Sequence, residues 1–354
     1  MSRMKTVFTS ELKPLLDAAA GQMELYVPRK SGDYYVYAKY DPSSEREIEF
    51  NNIRACTPVK EFLLPGCELA ATYPKMAEPT EVKPFAVFGL KDCDLRSIEI
   101  LDKVFAEEEF EDPFYMERRK KMFIISSDCS NPGESCFCNV LDGRPYSEGG
   151  FDLNVSGTRD GFVIEAGSDK GEDFLEKHSH LFTDVPETLL AEREKNRAKT
   201  QSQLEENNAG LKFDASAKEI FENSEESDVY DVEAKNCIEC QACTRICPTC
   251  HCFFLYDTKQ KDYFSKMKMW DSCMRMAYAA VAGGANPNKI LGDRLKHRLM
   301  HKFVYFVDRY GLNMCVGCGR CVDADAGGID LREILKKLNE ELKDKGKKET
   351  KVAK

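Results

Sequence analysis

The chain has 354 residues, a formal net charge of −10 and a pI near 5.3. Two domains are therefore expected, with room for a third small one, and neither nucleic acid nor an anionic membrane surface suits the chain as its main partner. The first twenty residues mix charges and Pro14 into their apolar content, and the longest apolar stretches, around 85–90 and 276–285, fall far short of the roughly 18–20 residues of a membrane-spanning helix. Secreted and membrane-spanning classes are set aside, and a cytoplasmic protein is expected.

In chain order, β-rich runs occur at 34–40, 84–90, 121–127, 151–156 and 162–166, with the glycines of the last two read as hairpin turns. Between the second and third runs, Leu95, Ile98, Leu101 and Phe105 recur at helical spacing. Residues 1–185 are thus expected to form an α/β domain with a strand–helix–strand unit. If its two strands run parallel, their carboxyl ends emerge on one edge. Residues 186–235 are polar and read as a charged helical connector. From 236 to 335 the pattern is that of a helical, bacterial-ferredoxin-like two-cluster domain, so the fold class is mixed α+β. Within it Asn288 is placed to cap a helix whose stripe is Leu291, Leu295, Leu299, Phe303, Val307 and Tyr310, with Gly311 as the stop. Asp330 and Glu333 form a variant capping box for another helix, and residues 336–354 read as a frayed Lys-rich tail.

Sixteen cysteines are too few for a disulfide scaffold, but they are clustered, which in a reducing compartment points to metal. Cys237, Cys240, Cys243 and Cys247, followed by Pro248, have the spacing C-x2-C-x2-C-x3-C-P of bacterial iron–sulfur proteins. Three closely spaced thiolates wrap one [4Fe–4S] cube, and the fourth projects toward a second. A zinc knuckle is the competing reading. Cys315, Cys318 and Cys321 repeat the first three positions, after which Asp325 and Ala326 stand where Cys and Pro are due. By the crossed ligation of two-cluster ferredoxins, Cys237, Cys240, Cys243 and residue 325 would hold one cluster, and Cys247, Cys315, Cys318 and Cys321 the other. Asp325 as a harder oxygen ligand gives either an Asp-ligated [4Fe–4S] cluster or, by loss of that iron, a [3Fe–4S] one. Alternatively Cys250 or Cys252 is recruited, or Asp325 only caps a turn.

These residues, with the following Thr249–Phe253, MWDSC, NPNKI, HKFVYF and GIDL segments, resemble the iron–sulfur subunit family that includes the beta subunit of soluble NiFe sulfhydrogenases and the corresponding iron–sulfur chain of anaerobic sulfite reductase. The resemblance extends into the first domain through GLKDCDLRSIEILDKVF, DPFYMERRKKMFIISSDC and CFC. It implies a noncatalytic relay carrying electrons between a flavoprotein subunit that binds FAD and NAD(P)H and a catalytic subunit such as a NiFe hydrogenase or a sulfite reductase. Asp325 in place of Cys, and Asp92 where the family usually has Pro, depart from the pattern.

Cys93 and Cys129 follow two strands expected to end on one sheet edge, and Cys136 and Cys138 share the loop of Cys129. The four are candidates for a third [4Fe–4S] cluster, against burial as ordinary core thiols or zinc binding. Cys250, Cys252 and Cys273 provide a further site, rescue the Asp325 corner or simply pack. His251 is a ligand, or a packing or ligand-supporting group, and His297 and His301, at i and i+4 with no third ligand evident, read as surface or interhelix groups. Trp270, Tyr278 and the Met-rich segment 267–276 read as core. No dinucleotide-binding, P-loop or HExxH motif is present, which favours a relay over an enzyme; the alternative is an enzyme acting on a sulfur compound or disulfide at a site-differentiated cluster.

Overall fold

A computed structural model describes residues 5–43, 48, 50, 53–74, 81–107 and 109–352, with the side chains of 348–352 excepted. It divides into two compact units that interleave along the sequence: Met1–Leu64, Pro79–Glu134 and Gly143–Glu206 form the first, and Pro65–Glu78, Ser135–Asp142 and Asn207–Lys354 the second.

The first unit is built on a seven-stranded mixed sheet, in the order Thr6–Thr9, Gly161–Ala166, Leu153–Thr158, Met122–Ser127, Phe85–Leu90, Glu24–Ser31, Tyr34–Lys39. Phe85–Leu90 and Met122–Ser127 pair in parallel and are buried along their whole length, as their uninterrupted apolar runs require. Helices cover both faces. Leu95, Ile98, Leu101 and Phe105 of Asp92–Phe105 pack on one, and Leu15, Leu16 and Ala19 of Lys13–Ala20 on the other. Two strands escaped the sequence reading, Thr6–Thr9 by its brevity and Glu24–Ser31 because Pro28 interrupts it. Pro28 is accommodated because the parallel ladder to Phe85–Leu90 stops at Tyr26, so no partner there needs its missing N–H.

The second unit surrounds a helical core in which Leu295, Leu299 and Phe303 pack with Ile220, Phe221, Tyr230, Leu335 and Leu338. Phe221 and Phe303 stack at 4.7 Å. In the stretch expected as a charged helical connector, Glu187–Asn207 is a polar helix, while the later apolar residues, scattered in sequence, gather in this core on the short helices Ala217–Glu222 and Val229–Ala234. The central helix starts at Leu291, after Ile290, and not at Asn288, whose N–H is held by the side chain of Asn286 in a turn. It passes through one π-helical turn, His301–Tyr305, and stops at Gly311 with φ of 75°. Nor is the Lys-rich end a frayed tail through its described length: it continues the helix Leu331–Val352, with Glu333–Lys336 and Asp344–Lys347 ion pairs one turn apart; residues 353 and 354 lie outside the described residues. Cys67–Tyr73, Phe264–Trp270 and Phe253–Lys259 form a separate antiparallel sheet. The Met-rich segment read as core thus begins on a half-buried strand, whose alternation is too short to announce itself.

Candidate iron–sulfur centre

Both cysteine runs fold the same way. In the first, Glu239 and Gln241 have φ of 56° and 63°, and a short helix, Ala242–Arg245, follows. In the second, Gly317 and Gly319, at the corresponding positions, have φ of 65° and 74°, and the helix is Arg320–Ala324. Two left-handed residues separated by a cysteine bend the backbone sharply twice within each run. The runs differ in residue type for a steric reason. A Cβ on Gly317 would come 2.6 Å from the Cα of Cys138, and one on Gly319 would come 2.5 Å from the carbonyl oxygen of Ser135. The Phe137 N–H also donates to Gly317 O at 2.8 Å. Gly317→Ala is therefore expected to destabilise the chain by about 2–4 kcal/mol, from left-handed strain plus backbone overlap; chemical denaturation of the variant against the wild type measures it.

Interactions among the thiols define two groups. Cys243 is influenced by Cys237, Cys240 and Asp325, whereas Cys315 and Cys321 are influenced by Cys247 and Cys318. Cys237, Cys243, Cys321, Asp325 and Arg298 line one cavity of about 20 Å³. Asp325 Oδ1 accepts from the N–H groups of Gly327 at 2.9 Å and Ile329 at 3.3 Å, so this carboxylate also performs the capping role. Among the described residues, no three His, Cys, Asp or Glu side chains converge on a single ion; the thiolates of a cube stand farther apart than those of one tetrahedral zinc.

The central helix sends a row of cations toward these thiols. Arg294, Arg298 and Lys302 recur every four residues and are 3%, 5% and 2% exposed. Arg294 reaches Glu239 at 3.1 Å, and an Arg298 guanidinium nitrogen donates to the Cys243 carbonyl at 3.2 Å. Lys302 Nζ donates to Thr249 Oγ1 at 3.1 Å and to Cys247 Sγ at 3.5 Å. Burial works against the charge of Lys302, but Cys247, Cys250 and Cys315 outweigh it and raise its pKa; Cys243, Cys321, Cys250 and Cys247 do the same for Arg298. Arg298 Nε has no hydrogen-bond partner among the described residues. Burying such cations costs several kcal/mol each unless anions compensate. Cys315 and Cys321 do not supply those anions at neutral pH: burial pushes Cys315 up to about 11 and Cys321 up to about 12, despite Lys302 and Arg298 respectively. An iron–sulfur cluster held by these thiolates would carry net negative charge, and its binding would release the thiol protons. The donor set and its buried cations therefore fit iron–sulfur clusters.

Of the other four candidate thiols, Cys93 and Cys129 belong to the first unit and Cys136 and Cys138 to the second. Cys93 and Cys129 adjoin Lys91, a fully buried lysine whose Nζ donates to Ser127 Oγ at 2.8 Å and to Asp128 O at 3.1 Å. Burial lowers its pKa, while Cys129, Asp128, Asp94 and Cys93 oppose the shift. Asp92, at the start of the same helix, accepts from Ser147 Oγ at 2.8 Å, and burial raises its pKa. Cys136 Sγ lies 3.8 Å from the Cys318 carbonyl oxygen, so the CFC loop rests on the second cysteine run. His297 and His301 have a third imidazole near them after all, His251, with its ring centre 6.1 Å from that of His301.

Residues 236–329 match the family model of the 4Fe-4S dicluster domain. Across 325 residues the chain is 33% identical to Sulfhydrogenase 2 subunit beta of Pyrococcus furiosus, an alignment covering 90% of this chain and 93% of the relative. The chain belongs to the sulfhydrogenase beta-subunit family. In this family member the cysteine runs were legible from spacing alone, whereas Arg298, Lys302 and Thr249 were not singled out. A signal for the cations existed: each of Arg294, Arg298 and Lys302 immediately precedes a residue of the apolar stripe, a row of charge too close to the core to be solvated. Among the described residues no helix is long and apolar enough to cross a membrane.

Proposed function

We propose that the chain is the electron-relaying iron–sulfur subunit of a cytoplasmic oxidoreductase complex, passing single electrons from a flavoprotein subunit that binds FAD and NAD(P)H to a catalytic subunit such as a hydrogenase. Cys237, Cys240 and Cys243 with Asp325 hold one cluster. Cys247, Cys315, Cys318 and Cys321 hold a second. A bound cluster supplies a one-electron couple tuned by nearby charge, hydrogen bonds and exposure. The observation that carries the reading is the burial of Arg298 and Lys302 among cysteine thiols: their charges call for bound anionic clusters, and they favour the more negative, reduced state of a cluster. The division of the thiols into two groups supports the crossed ligation. That the relative in Pyrococcus furiosus bears the name of a hydrogenase subunit supports assembly with partner chains.

Anaerobic purification tests this. About eight irons per chain with matching acid-labile sulfide are expected; zinc alone overturns the proposal. The isolated chain, given artificial electron donors, is expected to show no turnover of protons or sulfite, and turnover of either without partners overturns the noncatalytic assignment. If Asp325 is a direct ligand, Asp325→Cys converts that corner to thiolate, and its cluster is expected to resist oxidation to the three-iron form. Identical low-temperature EPR spectra of variant and wild type would overturn the Asp325 ligand.

A further inference from the structure

Cys252 and Cys273 of the second unit belong to neither group above. Cys252 precedes the strand Phe253–Lys259, and Cys273 follows its partner Phe264–Trp270, so both lie at the open end of one hairpin. The last ladder pair is Phe253 with Trp270, and the Asp271 N–H extends the ladder by donating to the Cys252 carbonyl at 2.8 Å. Three donors converge on the Cys252 sulfur: the Cys273 thiol, the Cys273 backbone N–H and the Tyr278 hydroxyl. Cys252 is partly exposed and Tyr278 is exposed, whereas Cys273 is buried.

We propose that Cys252 and Cys273 are a redox-active dithiol that exchanges with small-molecule disulfides, Cys252 attacking and Cys273 resolving. The donors around Cys252 stabilise its thiolate, which the Cys273 hydrogen bond, first among them, brings down to about 6 against the opposing effect of burial. Thiolate is the attacking species in exchange, and a thiol whose pKa lies near ambient pH is well suited to the task. The Cys252 thiolate attacks one sulfur of the incoming disulfide; that S–S bond breaks, a mixed disulfide forms on Cys252, and the first thiolate leaves and takes a proton from water. Cys273 gives up its proton and attacks the Cys252 sulfur, releasing the second thiolate, which is protonated in turn. The small molecule has gained two electrons and two protons, and the chain holds a Cys252–Cys273 disulfide. Returning it to the dithiol takes two electrons and two protons. The source of those electrons, a cluster delivering them one at a time, rests on the function proposed above.

The test uses the full chain, purified anaerobically, reduced, freed of reductant and mixed with glutathione disulfide. The products are trapped by alkylation and mapped by mass spectrometry, with iron and labile sulfide measured on the same sample. A cross-linked Cys252–Cys273 peptide with release of both glutathiones is expected. Cys273→Ser is expected to stop at glutathione attached to Cys252, and Cys252→Ser to lose both adduct and cross-link. Neither product at Cys252 in a wild-type chain that retains its iron overturns the dithiol and leaves the relay standing. Loss of iron in Cys252→Ser also overturns it, by making this sulfur a cluster ligand. A cross-link in a chain that contains no iron or labile sulfide upholds the dithiol and overturns the relay.

Discussion

Cys247→Ser is expected to remove about four irons per chain while leaving the cluster of Cys237, Cys240 and Cys243 in place. Cys247 is the residue on which the crossed arrangement turns. It sits in the first run by sequence, yet its influence falls on Cys315 and Cys321 of the second. The loss should carry a second cost. Lys302 donates to the Cys247 sulfur and to Thr249, which itself lies within hydrogen-bonding distance of that sulfur at 3.2 Å. Without an anionic cluster, a buried cation loses its compensation, a change of about 3–5 kcal/mol for comparable buried pairs. Iron analysis, EPR and the denaturation midpoint together check it. If ligation instead followed the sequence, Cys247→Ser would deplete the cluster of the first run. Cys56→Ser, at a thiol outside every proposed ligand group, is the control and should leave the iron content unchanged.

Arg298→Met is expected to lower the reduction potential of a neighbouring cluster by on the order of 100 mV. A unit charge a few ångströms away is worth roughly 4 kcal/mol at an effective dielectric constant of about 20, before partial compensation by water and relaxation. The sign follows from charge: reduction adds an electron to an already anionic group, so a nearby cation stabilises the product, and its removal favours the oxidised state. Arg298 influences Cys243 and Cys321, one from each thiol group, and both clusters should respond. Methionine preserves much of the side-chain volume, so iron content should hold. A redox titration followed by EPR measures the shift; potentials unchanged in a fully loaded variant would remove Arg298 from any tuning role.

How much of this was readable beforehand varies with the range of the forces involved. The cysteine runs were legible because cluster ligation is local: three thiols two residues apart carry their meaning within seven positions. The central strands of the first unit were legible because burial on both faces leaves uninterrupted apolar runs. What stayed hidden depends on distant partners. Nothing near Phe221 announces that it stacks on Phe303, and although the cations at 294, 298 and 302 flank the apolar stripe, only the fold shows that they meet thiols. Asn288 looked like a helix cap because its chemistry suits that position, yet Asn286 claims its N–H for a turn. The CFC loop was read with the sheet of the first unit, because only the fold reveals that Gly317 and Gly319 leave room for it.

That close fit has a bearing on biosynthesis. The second unit draws a strand from residues 67–73, which pairs with Phe264–Trp270, and a loop from residues 135–142, which bonds to Asn208 and to Gly317. As the chain leaves the ribosome, the strand waits for more than a hundred residues before it can pair, and long closures of this kind slow folding. A fragment beginning at residue 236, although it contains every cysteine of both runs, would lack Phe137, Leu141 and one strand of its sheet. Excising that segment as a stand-alone ferredoxin should yield an aggregation-prone product, and supplying the missing amino-terminal half in trans should be needed to rescue it.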